Sequence, residues 1–142
     1  MLFRSASPFA FEFLGECNRL ACEVAGGVAR AEGFAAQALN GSERDGQGVA
    51  LFRPHDTRLH AGSGAQGLPV RVLAVTGRGA VRGVECQALS GERFSAELAE
   101  HAATQFEPGQ RVRLTAERVM VDFTADRPGR AAPVASLRTA TP

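Results

Sequence analysis

The chain has 142 residues, 44% hydrophobic and 22% charged, a balance typical of a globular domain with its own core. Its 16 basic and 15 acidic residues leave a net charge of +1, so no global field attracts nucleic acid or an anionic membrane. The composition excludes a collagen-like chain, a coiled coil and full-length disorder, and the absence of lysine excludes a P-loop.

Residues 7–14 are predicted to form a short N-terminal helix. An N-capping serine followed by proline opens the segment, and Gly15 stands at its end. Phe9 and Phe13 are four residues apart and therefore share one face of the helix. Because a helix of two turns is unstable alone, we expect this segment to dock on another part of the protein.

Alternation with a period of two follows this helix and indicates β-structure. Residues 18–24 and 28–34 are predicted to form a hairpin that turns at Gly26 and Gly27. Residues 49–53 form a short apolar strand that ends at Pro54, because proline cannot donate to a strand ladder. The glycine-rich stretch 61–69 is the predicted subdomain boundary.

The second half of the chain repeats the pattern of short strands and glycine turns. A type II turn is expected at Pro108 and Gly109, and Met120 is expected to point away from the core. Residues 124–142 lack periodicity and are predicted to be a disordered tail. The fold predicted is mostly β, with OB-like small barrels of about eight short antiparallel strands, the N-terminal helix and a minor helix near 99–105. The strands of this half are predicted at 70–76, 80–89, 93–98, 111–116 and 118–123.

The densest polar cluster is Arg53-Pro54-His55-Asp56, and His60 follows it closely. His55, Asp56 and His60 are ligand types that zinc accepts, but a structural zinc site needs four ligands at closer spacing. The favoured interpretation is architectural: the Asp56 carboxylate accepts backbone N–H groups beyond the strand, and Arg53 bridges to a neighbouring strand. No catalytic, cofactor-binding or metal site is predicted.

Three cysteines, Cys17, Cys22 and Cys86, form an odd and sparse set that fits a reducing cytosol. Cys22 shares a face with apolar neighbours and is interpreted as a buried thiol. Neither a signal peptide nor a run of about 20 apolar residues is visible, so we expect a cytoplasmic protein without membrane insertion.

Gly77 and Gly79 lie between predicted strands and do not open a helix, as the glycines of a dinucleotide-binding loop do, so such a loop is not predicted. Binding of single-stranded nucleic acid by an OB-type sheet needs exposed stacking aromatics. The phenylalanines lie at inward or helical positions, and the chain has no Tyr or Trp. These observations favour a binding or regulatory module over an enzyme.

The order of several motifs resembles a known family. The chain is similar to the C-terminal, transport-associated OB-like regulatory region of ABC importer ATP-binding subunits, and most similar to the sulfate/thiosulfate type. The motifs that carry the resemblance are Ser7-Pro8-Phe9-x-x-x-Phe13-Leu14-Gly15-x-x-Asn18-x-Leu20, Leu51-Phe52-Arg53-Pro54-His55-Asp56, Gly79-Ala80-Val81-Arg82, Phe94-x-Ala96-Glu97-Leu98 and Pro108-Gly109-Gln110-Arg111-Val112.

The resemblance implies a non-catalytic domain over residues 16–123 that regulates an importer and holds two ATPase subunits together. Residues 1–15 would then be the connector helix from a nucleotide-binding domain that this sequence lacks, together with its ATP and Mg²⁺. The implied partners are a second copy of the parent subunit and the importer's membrane subunits, at the cytoplasmic face of the bacterial inner membrane. The interface candidates are Phe9, Phe13, Gly15, Asn18, Arg53, Pro54, His55 and Asp56.

Two alternatives remain open at this stage. Some molybdate importers resemble this organisation and bind the oxyanion in such a domain, for which Gly77 to Gly79, or Arg111 and Arg113, supply candidate groups. A single-stranded nucleic-acid binder is the second alternative.

Overall fold

The computed structural model of the chain describes residues 15–40, 44–62, 64–77 and 79–123. The predicted helix at 7–14, with Phe9 and Phe13, and the predicted disordered tail at 124–142 lie outside the described residues. Within the described ranges the chain is mostly β, as predicted.

Five strands close into a barrel. The strands are β1 (Asn18–Ala25), β2 (Val28–Ala31), β3 (Phe34–Ala38), β4 (Gly46–Phe52) and β10 (Arg118–Asp122), and their order in the barrel is β1-β2-β3-β10-β4. Neighbouring strands are antiparallel except β3 and β10, which run parallel. Closure leaves no free sheet edge, which is the main structural advantage of a small barrel.

The other five strands form an antiparallel sheet. The strands are β5 (Thr57–His60), β6 (Leu68–Thr76), β7 (Val81–Ala88), β8 (Arg93–Ala99) and β9 (Arg111–Ala116), and their order in the sheet is β5-β9-β6-β7-β8. The predicted helix near 99–105 is confirmed over Glu100–Ala103 (α1), between β8 and β9.

The chain passes between the barrel and the sheet at two places. A 3-10 turn over Pro54–Asp56 joins β4 of the barrel to β5 of the sheet, and Glu117 joins β9 to β10. The stretch 61–69, predicted as a possible subdomain boundary, follows β5 and reaches into β6, and these two strands belong to the same sheet. The Arg53-Pro54-His55-Asp56 motif is therefore the point at which the chain changes sheets.

One continuous core fills the space inside both sheets. Phe34 of β3 stacks on Phe52 of β4 at a centroid distance of 5.4 Å, and Phe52 stacks on Phe94 of β8 at 6.4 Å. The three rings are about 1% exposed and run from the barrel into the sheet. Aromatic pairs at these distances contribute about 0.5–1.5 kcal/mol each beyond area burial. The barrel and the sheet therefore share a single hydrophobic core.

One prediction about a strand is wrong. The returning strand predicted at 28–34 is two strands, β2 and β3, because Glu32 and Gly33 adopt positive φ angles of 34° and 91° and reverse the chain. Gly33 is required there, since a Cβ atom would lie 2.7 Å from the carbonyl oxygen of Gly67. Met120 lies on the side of its strand that points away from the core, as predicted, but it is only 3% exposed.

The turn at Pro108 and Gly109 forms as predicted, and Gly109 adopts the φ of +91° that a type II turn requires at its second central residue. The alternation predicted for β9 is also confirmed, because Val112, Leu114 and Ala116 are buried.

Candidate functional site

The turn between barrel and sheet is held by backbone groups and one buried hydroxyl. The Asp56 backbone N–H donates to the Arg53 carbonyl at 3.0 Å, and the Thr57 hydroxyl donates to the same oxygen at 2.8 Å. β4 ends at Phe52, one residue before the predicted end, and Pro54 is the first residue of the turn. The role predicted for the Asp56 carboxylate is wrong: its recorded contact is with His55 Nε2 at 3.7 Å, and both side chains are exposed. Thr57 performs the capping instead.

Arg53 joins this turn to the chain that leads into β1. Its Nη1 donates to the Glu16 carbonyl at 3.1 Å, so its partner lies two residues before β1 and not on a neighbouring strand as predicted. Gly15 lies against the same guanidinium, since a Cβ atom there would be 3.3 Å from Nη1. The chain therefore approaches the barrel directly beside the end of β4.

Asn18, the first residue of β1, links the barrel to the sheet. Its Nδ2 donates to the Ser95 carbonyl at 2.8 Å, and its Oδ1 accepts the Ser95 backbone N–H at 2.9 Å. The same Nδ2 donates to the Thr57 hydroxyl at 2.9 Å. Asn18 and Thr57 are the two buried polar residues of the described core, and they satisfy each other. We name Asn18, Arg53, Thr57 and Ser95 the junction network.

His55, Asp56 and His60 do not form a metal site. His60 Nε2 lies 2.8 Å from the Thr115 hydroxyl, which places it in the β5–β9 pair, whereas His55 and Asp56 lie on the turn. Across residues 15–123, apart from the masked positions, no three His, Cys, Asp or Glu side chains are grouped closely enough to hold a metal ion.

Two apolar side chains on the outer side of the barrel are buried. Ala50 and Phe52 of β4 belong to the core, so Leu51 between them points outward. Met120 of β10 is its cross-strand neighbour and also points outward. Leu51 is 0% exposed and Met120 3% exposed, yet neither belongs to the core cluster. We name Leu51 and Met120 the outer pair, and its burial requires a cover on the outside of the barrel.

Arginines occupy one row across the sheet. Arg111 of β9 is paired in register with Arg71 of β6, Arg71 with Gln87 of β7, and Gln87 with Arg93 of β8. Like charges directly opposite each other on neighbouring strands are destabilising. Within the described part of the chain, no hydrogen bond or ion pair engages the side chains of these three arginines. We name these four residues the arginine row.

A cleft of about 650 Å³ opens over part of the arginine row. Arg71, Arg111 and Gln87 line it together with Arg113, whose Nη1 donates to the Gly67 carbonyl at 3.1 Å. Its apolar wall includes Leu89, which is 90% exposed, and Leu73, which occupies a β-bulge in β6. Clefts of this size that combine an apolar wall with a few convergent polar groups are typical ligand sites.

Burial of the cysteine thiols lowers their reactivity. Burial raises the pKa of the Cys86 thiol to about 12, and the neighbouring Glu85 carboxylate adds to this shift. Burial also raises the pKa of Cys17, with Arg53 acting in the opposite direction. A raised pKa reduces the thiolate fraction at neutral pH, and the thiolate is the reactive form.

The structure brings four of the interface candidates together: Asn18 and Arg53 belong to the junction network, and Gly15 and Pro54 lie next to Arg53. His55 and Asp56 extend from the same turn into solvent, and Phe9 and Phe13 lie outside the described residues. Neither the role of Thr57 nor the pairing of Arg71 with Arg111 was predicted from the sequence. The position of Thr57, directly after Arg53-Pro54-His55-Asp56, could have indicated its role in the turn. No signal in the sequence gives the register that pairs Arg71 with Arg111, which lies 40 residues later in the chain.

Residues 50–121 match the family described as the TOBE domain. The chain is also similar to sulfate/thiosulfate import ATP-binding proteins named CysA. Identity is 39% over 97 residues with the protein of Burkholderia mallei, covering 68% of this chain and 28% of that protein. It is 38% over 130 residues with CysA 1 of Chromobacterium violaceum, covering 87% of this chain and 36% of that protein. The chain thus spans about a third, or less, of the relatives that it matches.

The fold is shared with a solved structure. The cytoplasmic molybdate-binding protein ModG, with molybdate bound, superposes with a TM-score of 0.56 at 16% identity, over 76% of this chain and 95% of that one. At this identity the likeness concerns the fold alone. No helix in the described ranges has the length and hydropathy needed to cross a membrane.

Proposed function

This chain belongs to the TOBE domain family, and we propose that it is the regulatory and dimerisation domain of the ATP-binding subunit of a sulfate/thiosulfate importer. TOBE domains are regulatory and non-catalytic. The observation that carries the proposal is the match to the sulfate/thiosulfate import protein of Chromobacterium violaceum, which covers 87% of this chain. In this role the domain acts at the cytoplasmic face of the inner membrane, next to a second subunit.

The outer pair supports a connector role for residues 1–15. Gly15 lies against Arg53, which directly follows β4, the strand that carries Leu51. Gly15, the first described residue, therefore lies near the end of the strand that carries Leu51. Phe9 and Phe13 offer apolar side chains that would cover Leu51 and Met120 and anchor the domain to whatever precedes it. Burial of large apolar side chains of this kind stabilises a contact by about 1.5–3 kcal/mol each.

An exchange experiment tests the proposed function. The segment of the Chromobacterium violaceum protein that matches this chain is replaced by this chain, in a strain that depends on it for sulfate import. We expect growth on sulfate as the sole sulfur source, whereas a strain in which the segment is deleted should grow poorly. A chimera that accumulates normally and still fails to support growth would contradict the proposal.

Oxyanion sensing is the second candidate, and the facing pair Arg71 and Arg111 favours it. Two guanidinium groups on adjacent strands resemble the paired donors that bind sulfate-type anions. Titration of the chain with sulfate, thiosulfate and molybdate by calorimetry tests this function. Saturable binding that Arg71→Gln abolishes would support it, and the absence of heat with all three anions would exclude it.

A further inference from the structure

The arginine row is longer than a single oxyanion needs. Neighbouring strands are about 4.8 Å apart, so the distance from Arg111 on β9 to Arg93 on β8, three strands away, is about 14 Å. A tetrahedral anion contacts arginines on two adjacent strands at most. A ligand that engages the whole row must therefore carry several negative groups spaced over about that length.

Among the described residues, no carboxylate contacts the three arginines of the row. Glu85, the carboxylate of β7, lies two residues before Gln87 on the same face, and it already accepts the Ser95 hydroxyl at 2.7 Å. Arg113 uses Nη1 for the Gly67 carbonyl and is half-buried. Positive side chains held this close on a rigid sheet lower stability unless an anionic partner compensates them.

The cleft beside the row also has an apolar wall, so its ligand should carry an apolar group as well as negative charges. Leu89 is 90% exposed, and with Leu73 it forms an apolar wall next to Arg71. The volume of about 650 Å³ lies within the roughly 300–1,000 Å³ of sites for organic ligands and is far larger than an inorganic oxyanion. The ligand chemistry that matches both features combines carboxylates with an apolar side chain.

We propose that the arginine row and its cleft bind an acidic segment of a partner protein. Carboxylates of the segment pair with Arg111, Arg71 and Arg93, and an apolar side chain between them packs against Leu89. Nucleic acid matches the charge of the row but not its surroundings, because no exposed aromatic ring lies among the described residues that line the cleft. The inference rests on the proposed regulatory function, since it names the kind of signal that the domain receives.

The experiment measures fluorescence anisotropy of a labelled peptide, Glu-Glu-Leu-Glu-Glu-Leu-Glu, titrated with the full chain. We expect saturable binding that weakens as salt rises. The double substitution Arg71→Gln and Arg111→Gln should raise Kd about tenfold or more, because it removes two charge-assisted contacts. Leu89→Ser should raise Kd several-fold at unchanged charge, and a peptide with Gln in place of every Glu should not bind.

A matched control removes the same charge elsewhere. Arg30→Gln together with Arg118→Gln changes two exposed arginines of the barrel, and Kd should then stay within about twofold of the unsubstituted chain. Equal losses in the two double variants would show non-specific attraction and overturn the proposal. An oligonucleotide that binds more tightly than the peptide, or sulfate that binds the cleft when the peptide does not, would also overturn it.

The inference and the proposed function can fail separately. Peptide binding without growth of the strain that carries the chimera contradicts only the importer assignment. Growth of that strain without peptide binding contradicts only this inference.

Discussion

Asn18 and Ser95 lie 77 positions apart in the chain and exchange two hydrogen bonds of 2.8 and 2.9 Å. The amide of Asn18 pairs with the Ser95 backbone as a neighbouring strand would, at the point where the barrel meets the sheet. The third bond of Asn18, to Thr57, connects this pair to the turn at Arg53. The junction network thus connects the start of β1, the turn after β4 and β8.

Asn18→Ala should lower the free energy of unfolding by about 2–3 kcal/mol, because it removes both partners of the half-buried Ser95 backbone and one of the two hydrogen bonds of the buried Thr57 hydroxyl. Urea denaturation followed by circular dichroism measures the change. Glu23→Ala, on the exposed side of the same strand, is the control and should change stability by less than about 0.5 kcal/mol. A loss below about 0.5 kcal/mol for Asn18→Ala would show that the junction network does not hold the two sheets together.

Thr57→Val should destabilise the chain by about 1–3 kcal/mol, whereas Asp56→Ala should be nearly neutral. Thr57 is buried and donates to the Arg53 carbonyl, while the Asp56 carboxylate lies in solvent near His55. Thermal melts of both variants, with zinc and with chelator, make the comparison. A zinc-dependent rise in Tm that is lost in Asp56→Ala would favour the metal interpretation over this one.

Leu51→Ala should cost about 2–5 kcal/mol in the full chain, since it empties a fully buried site. If residues 1–14 cover the outer pair, the same substitution should cost much less once those residues are deleted. A double-mutant cycle between Leu51→Ala and the deletion measures this coupling. Val84→Ala, inside the core, is the control and should cost the same in both backgrounds. An unchanged cost for Leu51→Ala would mean that another segment covers the outer pair.

The stability of the chain should fall as pH rises from about 9 towards 12. The Cys86 thiol has a folded pKa of about 12 against 9.0 for an unburied thiol, so the unfolded chain ionises first and is favoured by alkali. Below pH 9 this contribution is fully present. Urea midpoints across that range should show a steeper decline for the unsubstituted chain than for Cys86→Ala. Identical slopes in the two proteins would contradict the burial of this thiol.

The features that sequence predicted correctly depend on local patterns. Alternation located β9, and a proline-glycine pair located the turn at Pro108 and Gly109. Proline at position 54 also marked the end of β4, because the missing N–H acts within the strand itself. Each of these signals lies within a few residues of the structure that it determines.

The features that sequence missed depend on distant contacts or on weak local signals. Residues 28–38 contain five alanines, whose small side chains give little β-propensity, so the turn at Glu32 and Gly33 was not separated from the strands. Met120 follows the alternation of its strand, but its outward side is covered. The pairing of Asn18 with Ser95 and of Arg71 with Arg111 arises only when the two sheets assemble.

The initial rate of radiolabelled sulfate uptake in the exchange strain tests the central claim most directly. Cells carrying this chain within the Chromobacterium violaceum protein should take up sulfate well above the rate of cells with the segment deleted. Asn18→Ala in the same chimera should reduce the rate, because the junction network holds the barrel and the sheet in one arrangement. Uptake at the level of the deleted strain, despite normal accumulation of the chimera, would contradict the claim that this chain is the regulatory domain of such an importer.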